Sequence, residues 1–150
     1  MRYRVRIWWV GGLCCWTALL LAGCPASVRL EITPGAADFG TAATELALQI
    51  RKPGSGAVSW TITEVTRQNA DSPWTAQDIP WLSVSRTEMR QTGPLEVVTL
   101  TADRTGLRAG VYANSGLLIQ ARNFSQVVPV SLMVQSTLAV SPPRVSLRAG

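Results

Sequence analysis

The chain is 150 residues long, with 14 basic and nine acidic side chains for a formal charge of +5, three cysteines and no histidine. The lack of histidine removes His-ligated zinc sites, Ser-His-Asp and Cys-His nucleophile systems and imidazole proton shuttles together, and no cofactor is expected. Three of the basic residues are Arg2, Arg4 and Arg6; the other 11 are scattered among the nine acids, a net of +2 without the basic stripe that nucleic acid requires.

Those first arginines precede an apolar run from Ile7 to Ala22, the charged n-region and greasy h-region of a secretory signal. A helix that stays in the bilayer wants about 20 apolar residues. This run is shorter and contains Gly11 and Gly12. It ends in Leu21-Ala22-Gly23-Cys24, which resembles the lipobox of bacterial lipoproteins. The resemblance implies cleavage before Cys24, a diacylglyceryl group on its Sγ, and acyl chains as the membrane partner. Residues 1–23 are then the leader, and residues 24–27 a lipidated tether. Cys14 and Cys15 leave with the leader, so no disulfide is available within the mature chain.

From Val28 the pattern becomes that of strands. Val28, Leu30 and Ile32 alternate with Arg29, Glu31 and Thr33 until Pro34-Gly35 ends the run. Phe39 is expected to plug the edge of a sandwich, with Gly40 permitting the turn. Leu46, Leu48 and Ile50 alternate next, a loop rich in glycine follows, and Val58, Trp60 and Ile62 resume the alternation. Trp60, flanked by aliphatic inward partners, is expected to lie buried between two sheets.

Between Val65 and Pro80 alternation fails, and the stretch reads as the longest irregular connection, the kind of segment that carries function. Trp74 with Asn69, Asp71, Gln77 and Asp78 is a candidate sugar-stacking aromatic ringed by hydrogen-bonding groups. The competing reading folds Trp74 and Trp81 back as a lid over the end of the core, and it is preferred because large aromatics are usually mostly buried. The spacing of Asp71 and Asp78 matches no calcium loop. As a glycosidic acid-base pair they would need a cleft that a small sandwich rarely supplies.

Leu82 and Val84 form a short strand, and Arg86 to Pro94 reads as a polar loop. Leu95 to Ala102 places Val98, Leu100 and Ala102 on one face. Asp103 to Gly110 is a tight corner. Val111 to Ala121 and Gln126 to Gln135 are long strands expected to pair antiparallel across a turn at Arg122 to Ser125. Pro129 cannot donate to a ladder, so it belongs at an edge or with its nitrogen facing outward.

The run Trp81-Leu82-Ser83-Val84-Ser85, the tract Asp103-Arg104-Thr105-Gly106-Leu107 and then Gly110-Val111-Tyr112 are similar to the BACON-type immunoglobulin-like modules of bacterial surface proteins. The resemblance implies an all-β fold, an immunoglobulin-like antiparallel β-sandwich of about seven strands over residues 28–135, with no catalytic residues to carry over. It departs from the family in the long Trp74 loop and in Arg86-Thr87-Glu88, where a glycine is usual. Leu138-Ala139-Val140-Ser141-Pro142 repeats the pattern of Leu30 to Pro34 at an offset of 108 positions, close to the roughly 100 residues of one such unit. Residues 136–150 are accordingly expected to be a linker and the truncated first strand of a second module. The functional expectation is a non-catalytic, lipid-anchored cell-envelope module, favouring the outer membrane or cell surface. It would act as spacer or adhesion domain, with envelope proteins or tandem domains as partners. A carbohydrate-binding module using the Trp74 loop is the alternative.

Overall fold

A computed structural model describes residues 28–136; the leader, Cys24 and the repeat at residues 138–142 lie outside the described residues. Ten strands follow in chain order: β1 (Glu31–Thr33), β2 (Ala37–Asp38), β3 (Glu45–Arg51), β4 (Val58–Thr66), β5 (Thr75–Ala76), β6 (Leu82–Val84), β7 (Glu88–Gln91), β8 (Leu95–Ala102), β9 (Gly110–Ala121) and β10 (Phe124–Val134). Seven of them are the strands expected from alternation. The other three, β2, β5 and β7, are short pieces at the edges of one sheet.

The smaller sheet has the order β1-β3-β8-β6; the larger runs β2-β10-β9-β4, with β5 and β7 both on the far edge of β4. All pairings are antiparallel except β2 with β10, which is parallel. Period-two side chains face inward from both sheets, so Leu48, Ile50, Val98 and Leu100 of one layer meet Trp60, Ile119, Val128 and Val130 of the other. Each such buried aliphatic contributes about 1.5–3 kcal/mol relative to leaving it in water.

Trp60 is 1% exposed, and its indole N–H has a partner inside the core. Gln91, itself fully buried, accepts that N–H at 3.0 Å. Its amide nitrogen donates to the carbonyls of Ile50 (3.1 Å) and Gly93 (3.2 Å). One side chain thereby satisfies a buried donor of the large sheet and a carbonyl of the small one, and deleting it would strand both. The segment expected to be a polar loop at Arg86 to Pro94 therefore contains a strand, whose inward residues are Met89 and Gln91 rather than aliphatics.

Two segments switch sheets and close the two sides of the sandwich. On one side the chain pairs with β3 as β1 and then with β10 as β2. On the other it pairs with β8 as β6 and then with β4 as β7.

The tract Asp103 to Tyr112 is built as a corner. Asp103 accepts the Thr105 N–H, and Gly106 takes a left-handed φ of 76° that a side chain would disfavour. Arg104 reaches across to the carbonyls of Ala43, Phe39 and Gly40 and staples the end of β2 to the corner. Tyr112 donates its hydroxyl to the Arg108 carbonyl and packs edge-on against Trp81.

Candidate functional site

The Trp74 loop folds over the outer face of the large sheet, not over the end of the core. Register places Val65, Gly116 and Pro129 in one row across β4, β9 and β10. Gly116 carries no side chain, and a Cβ there would lie 3.2 Å from Trp74 Cζ3 and 3.1 Å from Val127 Cγ1. The indole thus occupies the hollow that glycine leaves. Val65 is 1% exposed although it stands apart from the sandwich core, because the loop covers its side of the sheet. Arg67 lies over the Trp74 ring at 4.5 Å, a cation–π contact worth about 0.5–1 kcal/mol at a partly exposed site.

The lid expectation therefore holds for one tryptophan and fails for the other. Trp81 enters the core and meets Phe39 edge-on at 6.4 Å. Trp74 stays half-buried, with Arg67 against its ring.

The polar groups predicted to ring Trp74 are largely engaged with the loop itself. Asn69 Oδ1 accepts both the Asp71 N–H and the Ser72 hydroxyl. Gln77 accepts the Thr66 hydroxyl, and Arg67 donates to the Ala70 carbonyl. Asp71 stands in the Asn69 turn, whereas Asp78 lines a recess with Glu64 at the outer edge of β4. Glu64 accepts the Ile79 N–H at 2.6 Å. Burial pushes its carboxyl above the ordinary range, the Ile79 hydrogen bond opposes this, and repulsion from Asp78 adds to it. Among the described residues no three His, Cys, Asp or Glu side chains converge as a metal site would need.

Two further features emerge only from strand register. The first is the open half of the outer face. Towards the β9–β10 turn a mixed row of Thr63, Leu118 and Val127 gives way to a polar one of Thr61, Gln120 and Ser125. The last row borders a concavity of about 510 Å³ that also includes Ser59 and Arg122.

The second is the outer edge of β10. Phe39 N–H donates to the Ser131 carbonyl and Met133 N–H to the Gly40 carbonyl. Odd-numbered backbone groups of β10 therefore point away from β9, and Pro129 turns its nitrogen outward, as its missing N–H requires. Beyond β2 the outward N–H and C=O groups of Ser125 and Val127 have no backbone partner among the described residues. Asp38 locks the covered half: it accepts the Ser131 hydroxyl (2.7 Å) and the Gly40 N–H (3.0 Å), which hold its carboxyl below the usual range.

Comparison of this two-sheet arrangement with solved structures decides the fold. A chain in the crystal structure of the CsuC–CsuE chaperone–tip adhesion subunit pre-assembly complex, from archaic chaperone-usher Csu pili of Acinetobacter baumannii, matches with a TM-score of 0.56 at 13% identity, over 71% of this chain and 57% of that one. The class 5 fimbriae chaperone CfaA matches with a TM-score of 0.57 at 13% identity, covering 72% and 57%. The seventh PapD-like (ASH) domain of human CEP192 matches at 0.50 and 12% identity, covering 91% of this chain and all of that one. The chain has the immunoglobulin-like β-sandwich fold seen in these PapD-like domains. It spans little more than half the length of the first two of these chains. No family model matches the sequence, and no curated protein does. The immunoglobulin-like expectation is thus met at the level of the PapD-like fold, without singling out the BACON family.

Proposed function

We propose that this PapD-like sandwich is a non-catalytic module of the bacterial cell envelope, held to the bilayer by acyl chains on Cys24, that presents its β10 edge to protein partners. The observation that carries the reading is the half-covered edge. Ser125 and Val127 offer outward backbone groups without a described partner, and the stretch Ser125 to Pro129 carries no charge to repel an added strand. The fold neighbours support it in kind, since they include a chaperone and a chaperone–adhesion subunit complex. A glycan platform at Trp74 has less support, because Arg67 covers the indole and the loop's polar groups bond to one another.

The edge is tested by placing a photo-crosslinking amino acid at Ser125 in the full chain expressed in its host. Discrete adducts with one partner are expected, and they should vanish in Val127→Pro, which removes an outward donor. Adducts that persist unchanged in Val127→Pro would refute edge pairing. The anchor is tested separately: globomycin, which blocks the lipoprotein signal peptidase, should make the uncleaved precursor accumulate, and an unchanged gel pattern would remove lipidation.

A further inference from the structure

We infer that the open half of the large sheet's outer face is a binding site for a carboxylated carbohydrate, a uronate-bearing glycan chain. Trp60 and Ile62 face the core, so Ser59 and Thr61 face outward on β4. Thr61, Gln120 and Ser125 stand side by side in register on three neighbouring strands. Adjacent strands are about 4.8 Å apart, so the backbone ladder spaces two hydroxyls and an amide in one row, each group able both to donate and to accept. Such a row suits the hydroxyls of a sugar ring better than an apolar ligand.

Arg122 supplies the charge. It borders the same concavity and has no carboxylate partner among the described residues. A guanidinium fork binds carboxylate in bidentate fashion. Glu88 extends the row on the far side of β4, opposite Thr61, with Arg90 opposite Ser59 on the same short strand. The acidic residue therefore lies across β4 from Arg122 and has a basic neighbour. The concavity, about 510 Å³, falls within the roughly 300–1,000 Å³ of ordinary ligand sites.

A contrast within one face supports the assignment. Around Trp74 the polar side chains hydrogen-bond to one another: Thr66 to Gln77, Ser72 to Asn69. The side chains of Ser59, Thr61, Gln120, Arg122 and Ser125 have no such partner among the described residues. Their bonding capacity is turned outward on a scaffold that needs no rearrangement to bind. The site is separate from the β10 edge, where Ser125 contributes backbone rather than side chain.

The test is titration calorimetry of the full chain in detergent micelles with a galacturonate hexamer, using neutral maltohexaose as comparison, together with amide chemical shifts. Saturable binding of the galacturonate is expected. It should weaken about tenfold in Arg122→Ala, less in Arg122→Lys, and roughly threefold in Gln120→Ala. Shifts should centre on Thr61, Gln120 and Ser125. These exposed substitutions leave the core intact, and an unchanged thermal midpoint checks that they do. The inference is overturned by no saturable binding at millimolar ligand, by equal affinity for maltohexaose, by full affinity in Arg122→Ala, or by shifts confined to the Trp74 loop. Arg122→Ala, which touches no outward backbone group of β10, should leave the Ser125 crosslinks unchanged, so failure here and failure of edge pairing are read separately.

Discussion

The two outer edges of the large sheet are treated differently by the same chain. At β4 every stretch is met: β7 pairs with Val58 to Thr61, Thr87 takes the Ile62 N–H, Gln77 donates to the Glu64 carbonyl, and β5 pairs with Val65 and Thr66. At β10 coverage starts only at Val130. The difference teaches that an edge is closed by whatever segments reach it, and by how far each of them runs. β7 and β5 arrive from separate parts of the chain and together span β4, while β2 is two residues long and stops.

Breaking the ladder on the inner side of β10 should have the largest effect. Gln126 directs its N–H toward β9, so Gln126→Pro removes a ladder bond and is expected to cost about 3 kcal/mol in urea melts. Little change would overturn the assignment of even-numbered groups to the inner side. On the β4 side, Gln91→Ala leaves the Trp60 indole and the Ile50 carbonyl unpaired in the core. A loss of about 2–3 kcal/mol is expected by the same measurement; a loss near zero would mean that water replaces the amide.

Gly116→Ala pushes a methyl to 3.2 Å from both Trp74 Cζ3 and the Val128 carbonyl. It should cost about 1–2 kcal/mol and red-shift tryptophan emission as the indole is displaced; unchanged emission would show that Trp74 does not rest there. Glu64, in the closed β4 edge, gives a pH signature. Its folded pKa is raised above the ordinary 4.5, so its contribution to stability is fully present below pH 4.5 and is lost as pH rises through the raised value. Glu64→Gln, which retains an acceptor for Ile79, should flatten that decline, and an unaltered slope would assign it elsewhere. The smallest effect is expected for Val127→Pro, under about 1 kcal/mol, because the lost N–H faces outward. A loss as large as that of Gln126→Pro would mean that the edge is not open.

The long strands were legible because two sheets facing one greasy core write a period of two into the chain, and Leu48, Ile50, Val98, Leu100, Val128 and Val130 all fall where alternation places them. The outward nitrogen of Pro129 followed from chemistry alone. β7 escaped notice because its buried anchor is an amide: Gln91 is apolar to no hydropathy scale, and only its three partners explain it. β4 continues to Thr66, past the point where alternation appeared to fail, because Val65 is buried on the outer face beneath the Trp74 loop that follows it. Trp74 and Trp81 are indistinguishable by type and lie seven positions apart, yet one is core and the other is clasped by Arg67. The polar row of Thr61, Gln120 and Ser125 joins three strands, so no local window of sequence contains it.

The parallel pairing of β2 with β10 has a mechanical consequence. Val28 accepts its place beside Asn123 at one end of the sandwich, while β10 runs 11 residues to Val134 at the other, about 35 Å away. Tension applied between those two points drags β2 backward and β10 forward along their shared axis. The Phe39–Ser131 and Gly40–Met133 bonds and the Asp38 clasp on Ser131 are then loaded in shear and must yield together, not one after another as in an unzipping hairpin. A tethered domain stretched at its ends would resist by this clamp before its core felt the pull.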